Sequence, residues 1–236
     1  MAELFVLIHA PVLGPASWAP VAEELTRRGH RVSVPSLTGF TAGGPPYAPR
    51  LVQQARAQIQ QALRPGERLV LVVHSGAGVF APHLVAGLGA TGATVIFADA
   101  GLPPEIGQGR VIDEEFLPFV RDLSDGGLAP PWPRWWPTAE LDPLFPDLAT
   151  RERVSGEAAP LPLAFFEETL PPLPEDWRSC RCAFLRFSEG YQGPARQAAA
   201  RGWPVRGLPG DHLHMLVAPA AVAEAITSLT GTSRAP

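Results

Sequence analysis

A serine that ends an unbroken aliphatic run and is followed at once by small residues is a candidate nucleophile. Leu69-Val70-Leu71-Val72-Val73-His74-Ser75-Gly76-Ala77-Gly78 has that form. The run reads as a strand buried on both faces, and the small residues as a sharp turn into a helix, which projects the Ser75 hydroxyl beyond the sheet. A serine hydroxyl is a weak nucleophile until a base takes its proton, and the base needs a third group to orient it. His212, in Pro209-Gly210-Asp211-His212-Leu213-His214, is the candidate base, with His214 as its alternative. Two carboxylates are candidates to hold the imidazole. Asp99 ends the apolar run Thr94-Val95-Ile96-Phe97-Ala98-Asp99, and Glu189 follows Phe187-Ser188. An aspartate ending an apolar strand is costly to bury unless paired, which favours Asp99 over a mere loop cap; Glu189 also reads as a solvated turn residue. The N–H of Gly76, at a helix start, faces where an oxyanion would develop, and a second donor is expected from the loop after His9. Together these groups could carry out acyl transfer.

Such groups react only if strands end side by side and present them. Strand-like stretches at 4–9, 30–35, 69–74 and 94–99 alternate with helical patterns, which implies an α/β fold with a mostly parallel, doubly wound sheet. In such a sheet the ligand site lies beyond the carboxyl ends of the strands, where His9, Ser75 and Asp99 all fall. Ser17 is expected to cap a helix carrying Trp18, Val21, Ala22 and Leu25. A second helix is expected over 50–63, with Val52, Ala55 and Ile59 on its stripe. The small-residue helix after Ser75 should run to Leu88, irregular in its first turns because Pro82 lacks an N–H. The sheet resumes at 182–190, and a closing helix begins near Pro219 with Val222, Ile226 and Leu229 inward.

From Leu102 the character changes: prolines come in pairs, and Trp132-Pro133-Arg134-Trp135-Trp136 stands out. Residues 102–178 read as an inserted helical cap on a core made of 1–101 and 179–236, with helical pieces over 113–123 and 162–170. Trp132, Trp135 and Trp136 are expected either to wall a substrate pocket or to form the cap's own aromatic core. His74 reads as packing or pocket lining, because successive strand residues point apart. His214, if it is not the base, is also a pocket candidate.

Bulk properties narrow the partners. The chain has 236 residues, enough for one sizeable core. A formal charge of −4, with all 19 basic residues arginine, gives no general attraction to nucleic acid or anionic membrane. No stretch reaches the ~18 apolar residues of a membrane span, and no basic region precedes the first apolar run, so a cytoplasmic protein is expected. Cys180 and Cys182 are poorly spaced for a disulfide and read as buried thiols. Asp211 beside two histidines lacks a third ligand cluster, so neither a metal nor another cofactor is expected. A small-molecule substrate is the expected partner, and a homodimer is left open. No internal repeat is visible, and no disordered tail is expected beyond the last few residues.

The motifs together resemble the α/β-hydrolase family, and within it the small methylesterase and hydroxynitrile lyase branch. His9-Ala10-Pro11-Val12-Leu13-Gly14-Pro15-Ala16-Ser17-Trp18 resembles that branch's His-Gly loop ending in tryptophan. Arg28-Gly29-His30-Arg31-Val32 resembles its approach to the second strand, and Gly210-Asp211-His212-Leu213-His214-Met215-Leu216 its catalytic-histidine loop. The likeness covers the sheet and not the cap. It implies an α/β-hydrolase fold and a Ser–His pair with the nucleophile before the histidine in the chain. Against the family pattern, Val73 and Ala77 replace the glycines flanking the nucleophile. Pro11 stands where a backbone donor to the oxyanion is usual, which moves that role to a neighbour such as Val12. The usual acid position falls at Gly190 or Tyr191; Asp99 matches the acid position of haloalkane dehalogenase-like members. The reading is a serine hydrolase for an ester, thioester or lactone of an apolar molecule. Its alternatives are a cyclase, lyase or eliminase on the same scaffold, and a non-catalytic small-molecule binder.

Overall fold

The computed structural model describes residues 2–88 and 92–231, so the expected tail at 232–236 lies outside it. In the first half, β1 (Glu3–Ile8) leads to α1 (Ala19–Arg27) and β2 (Arg31–Ser33), then α2 (Tyr47–Ala62), β3 (Arg68–Ser75), α3 (Ala81–Val85) and β4 (Thr94–Ala100). The insertion holds β5 (Gln108–Arg110), α4 (Leu117–Leu123), β6 (Leu128–Ala129), α5 (Thr138–Leu141), α6 (Leu148–Glu157), β7 (Leu161–Pro162), α7 (Leu163–Glu167) and β8 (Thr169–Pro172). The chain closes with β9 (Arg181–Arg186), α8 (Gln192–Ala200), β10 (Val205–Gly207), α9 (His214–Val217) and α10 (Pro219–Gly231).

Six parallel strands form one sheet in the order β10-β9-β4-β3-β1-β2. The chain winds outward from β1 to β2, then from β3 through β4 and β9 to β10. The strand order therefore reverses between β1 and β3, the crevice where ligands bind in open α/β sheets. Ser75 ends one strand at this crevice and His9 follows the other. The central strands are aliphatic on both faces, with Phe5–Ile8, Val70–Val73 and Val95–Ala98 excluded from solvent, as expected where helices cover both sides.

Several elements differ in detail from the sequence expectation. Ser17 does not cap α1: its hydroxyl donates to the Gly14 carbonyl at 2.8 Å, closing a 3-10 turn over Pro15–Ser17. Trp18 takes the cap position and anchors the turn by donating its indole N–H to the Ile8 carbonyl. Helix α2 starts three residues early, at Tyr47, and buries Ala48, Leu51, Ala55 and Ile59, leaving Val52 at the margin. The segment after Ser75 is a 3-10 turn over Gly78–Phe80 and then the short α3, which ends at Val85 and not at Leu88. Pro82 in that first turn gives the expected irregularity. Cys180 and Cys182 are free and half-buried; burial pushes their thiols up, to about 11 and about 12.

The insertion contains more structure than the sequence suggested. Helices α5 and α6 carry weak apolar patterns, and the proposed 162–170 helix stops at Glu167, where the chain turns into the antiparallel pair β5–β8. Its aromatic rings pack on one another: Phe119 lies 5.3 Å from Trp136, and Trp135 lies 5.8 Å from Phe166. Carboxylates of the insertion hold backbone donors of the core. Glu168 accepts from the Tyr47 and Ala48 N–H groups, each at 2.6 Å, at the start of α2. Glu157 accepts from Ala16 N–H at 2.8 Å.

Candidate active site

Ser75 sits at the end of β3 with φ of 57°, a conformation non-glycine residues rarely adopt. The turn is closed by Ala77 N–H donating to the His74 carbonyl and Gly101 N–H donating to the Ser75 carbonyl. The unusual neighbours fit without strain. Val73 is an ordinary strand residue paired with Ile8 and Phe97, and Ala77 is helical at φ −70°. Gly78 is the glycine the turn requires, because a Cβ there would lie 1.9 Å from the Gly101 carbonyl oxygen.

Asp99 lies on the neighbouring strand, fully buried, at φ 42°. His74 pairs with Ala98 and Ser75 with Ala100, so Asp99 is the extra residue of a bulge that turns its side chain over the sheet end. Its carboxylate accepts from Phe187 N–H at 2.6 Å, Ser188 N–H at 3.1 Å and the Ser188 hydroxyl at 2.5 Å. It also meets His212 Nδ1 at 3.2 Å, while His212 Nε2 lies 3.0 Å from Ser75 Oγ. The carboxylate fixes the tautomer: Nδ1–H donates to Asp99, which leaves Nε2 to accept the serine proton.

The remaining sequence candidates are placed differently. Glu189 makes no contact with His212; its side chain is 90% exposed and pairs with Arg186 at 3.1 Å. Of the two carboxylates, Asp99 is the one in contact with His212. His214 packs its ring 5.7 Å from Phe187, away from Ser75, and does not line the cavity. His74 does not line it either. It is fully buried, donates Nε2–H to the His212 carbonyl at 3.0 Å and stands edge-on to Trp18, so it braces the histidine loop. Burial, then the neighbouring His212, hold the His74 imidazole well below its usual pKa. His9 is the matching brace on the other side. Its Nδ1–H donates to the Ala10 carbonyl, its Nε2 accepts from Leu37 N–H at 3.0 Å, and burial pushes its pKa down to about 4.

Gly76, Pro11 and Val12 border the cavity beside Ser75. The N–H groups of Gly76 and Val12 make no hydrogen bond among the described residues, and Pro11 has none to offer. Two N–H groups without a hydrogen bond thus border the cavity beside Ser75. Tyr191 is the residue that sequence reasoning passed over. Its hydroxyl lies 3.3 Å from Ser75 Oγ, and its ring stacks on His212 at 4.9 Å and 4°. Burial pushes this phenol up to about 12. The only sequence signal was its place, at the usual position of the family's acid.

Above these groups lies a cavity of about 630 Å³. Trp132, Trp135, Trp136, Phe116, Phe165 and Phe166, all between β4 and β9, wall it, and Trp135 and Trp136 also pack on phenylalanine rings of that segment. Exposed Asp113 and Glu140 stand among its lining residues. A larger surface groove, about 780 Å³, lies by Trp177 and Trp203, away from Ser75. Among the described residues no cluster of three His, Cys, Asp or Glu side chains could hold a metal, and no helix is long and apolar enough to cross a membrane.

Residues 5–225 match the family model of the "Alpha/beta hydrolase family". No curated protein matches the sequence. Among solved structures, an extracellular alpha/beta-hydrolase from a Paenibacillus species, described as homologous to Tobacco Salicylic Acid Binding Protein 2, is similar at TM-score 0.71 and 20% identity, covering 96% of this chain and 98% of that one. A pyrethroid hydrolase from Sphingobium faniae gives TM-score 0.70 at 18% identity, over 99% of each chain. Polyneuridine aldehyde esterase gives 0.65 at 16% identity, over 98% of this chain and 100% of that one. At these identities the likeness is one of fold.

Proposed function

Because the chain belongs to the alpha/beta hydrolase family, we propose that it hydrolyses a carboxylic ester, thioester or lactone of an apolar small molecule. The observation that carries this reading is the continuous contact Ser75 Oγ–His212 Nε2–Asp99, at 3.0 and 3.2 Å. Ser75 Oγ attacks the carbonyl carbon while His212 Nε2 takes its proton, and buried Asp99 steadies the imidazolium that forms. The Gly76 and Val12 N–H groups receive the oxyanion. The tetrahedral intermediate collapses, His212 returns the proton to the leaving oxygen, and water repeats the sequence on the acyl-serine. The aromatic walls select an apolar acyl or alcohol part, and the 102–178 cap is the part that sets substrate choice. The three structural neighbours described above carry hydrolase or esterase names, in keeping with this chemistry.

A fluorophosphonate probe should label the protein at Ser75, and Ser75→Ala should lose both labelling and turnover of an activated ester. Equal turnover by the variant would sink the reading. Pro11, which removes a usual oxyanion donor, favours a second reading, in which Ser75 and His212 act as a base for elimination or cyclisation. An acyl adduct on Ser75, seen by intact-mass spectrometry, would rule it out.

A further inference from the structure

Tyr191 has no part in the mechanism above, yet it touches both reacting groups. Its ring lies parallel to His212 at 4.9 Å, and its hydroxyl is 3.3 Å from Ser75 Oγ, beside the 3.0 Å contact from His212 Nε2. Phenol and imidazole therefore converge on one oxygen. With the Ser75 hydroxyl hydrogen directed to His212 Nε2, the Ser75 oxygen is left to accept from the Tyr191 hydroxyl in the resting site.

The sheet order decides what this donor can serve. Pro11 and Val12 follow β1, on one side of β3, and Gly76 lies beside Pro11. Tyr191 follows β9, which lies beyond β4 on the opposite side. The carbonyl oxygen turns toward the β1 side, which leaves the leaving oxygen facing His212 and Tyr191. The leaving oxygen is bonded to the same carbon as Oγ, so a donor that reaches Oγ needs only a small swing to reach it.

We infer that Tyr191 is a catalytic residue whose hydroxyl hydrogen-bonds the leaving oxygen and so supports the departure of poor, alkoxide-type leaving groups. The inference rests on the serine-hydrolase reading. When the tetrahedral intermediate collapses, the bond from carbon to the leaving oxygen breaks and the His212 Nε2 proton passes to that oxygen. Tyr191 keeps its own proton throughout and lowers the charge the oxygen must carry.

The test compares an ethyl ester with the p-nitrophenyl ester of the same acid, as kcat/KM, in the wild type and in Tyr191→Phe, which keeps the ring. The aryl group leaves as a stable anion and needs little help. The variant's loss on the ethyl ester should exceed its loss on the aryl ester by about tenfold or more, the size of one hydrogen bond to a charged oxygen. Equal losses would assign Tyr191 to packing or to the oxyanion, and no loss would remove it from the reaction; either overturns the inference. A probe that keeps the hydroxyl guards against a folding defect. The chain has two tyrosines, so fluorotyrosine incorporation in a Tyr47→Phe background changes Tyr191 alone. The more acidic phenol should shift the high-pH limb of the ethyl-ester profile to lower pH, and an unmoved limb also overturns the inference. If the wild type turns over neither ester and Ser75 resists the fluorophosphonate, the serine-hydrolase reading has failed and this inference falls with it.

Discussion

Ser75 and Asp99 end neighbouring strands in the same left-handed backbone conformation, at φ 57° and 42°. Each is held against a cost of roughly 1–2 kcal/mol for an L-residue. Pairing between the strands supplies the constraint: Gly101 N–H donates to the Ser75 carbonyl, and the bulge at Asp99 lets Ala100 pair with Ser75. One distortion at the end of the sheet thus presents both Ser75 and Asp99 to His212.

Asp99→Asn should therefore test the acid assignment. The amide keeps the shape but lacks the charge that fixes the His212 tautomer, so kcat should fall by about 10³–10⁴. Glu189→Gln, at a solvated ion pair with Arg186, should change kcat by less than about twofold. Steady-state kinetics on one activated ester compares the two. A reversed ranking would return the acid role to Glu189.

Gly78→Ala should disrupt the turn that carries Ser75. The new methyl would have to occupy space 1.9 Å from the Gly101 carbonyl oxygen. Overpacking of that kind costs about 1–3 kcal/mol, and here it also displaces the nucleophile. Val73→Gly, which restores the residue common in the family, should lower stability because it empties a fully buried strand position. Urea unfolding of both variants checks this; a Val73→Gly protein as stable as the wild type would contradict the strand assignment.

Much of this arrangement was legible in the residues. The two-sided aliphatic runs gave the sheet, and Ser75, Asp99 and His212 stood at strand ends or in a loop where chemistry is expected. What stayed hidden depends on through-space contacts. Glu189 and Asp99 were both carboxylates at strand ends, and only the bulge at Asp99 and the approach of Phe187 and Ser188 separate them. Tyr191 carries no motif of its own and meets the site by stacking parallel on a residue of a different loop. In the insertion, α6 has a weak apolar pattern and is held by Glu157 and a capping Asp147, a kind of support that periodicity does not record.

Acid should destabilise the protein through its buried histidines. Burial lowers His9 from an unfolded value near 6.5 to about 4. The native state therefore prefers neutral His9, and this stability is complete above about pH 6.5. It is lost progressively as the pH falls toward 4, where native His9 also takes a proton. The difference corresponds to about 3 kcal/mol, and His74 shifts in the same direction. Urea melts at pH 7.5 and pH 4.5 measure the loss. His9→Asn should show a shallower dependence on pH, and an unchanged slope would count against buried, neutral His9.

Glu168 ties the segment between β4 and β9 to α2 through contacts that one substitution removes. Helix α2 has Pro46 before it and no side-chain cap of its own. The Glu168 carboxylate supplies what is missing by accepting from the Tyr47 and Ala48 N–H groups. It comes from the segment that also places Phe165 and Phe166 against the cavity. Glu168→Ala should cost about 1–2 kcal/mol, the usual size of a lost helix cap. Hydrogen exchange at Tyr47 and Ala48 should quicken, because both amides lose their acceptor. As Phe165 and Phe166 loosen, KM for an apolar ester should rise more than kcat falls. Glu168→Gln keeps one acceptor oxygen and should fall between the variant and the wild type. If Glu168→Ala leaves exchange at both amides unchanged, the cap is not tied to the core through α2.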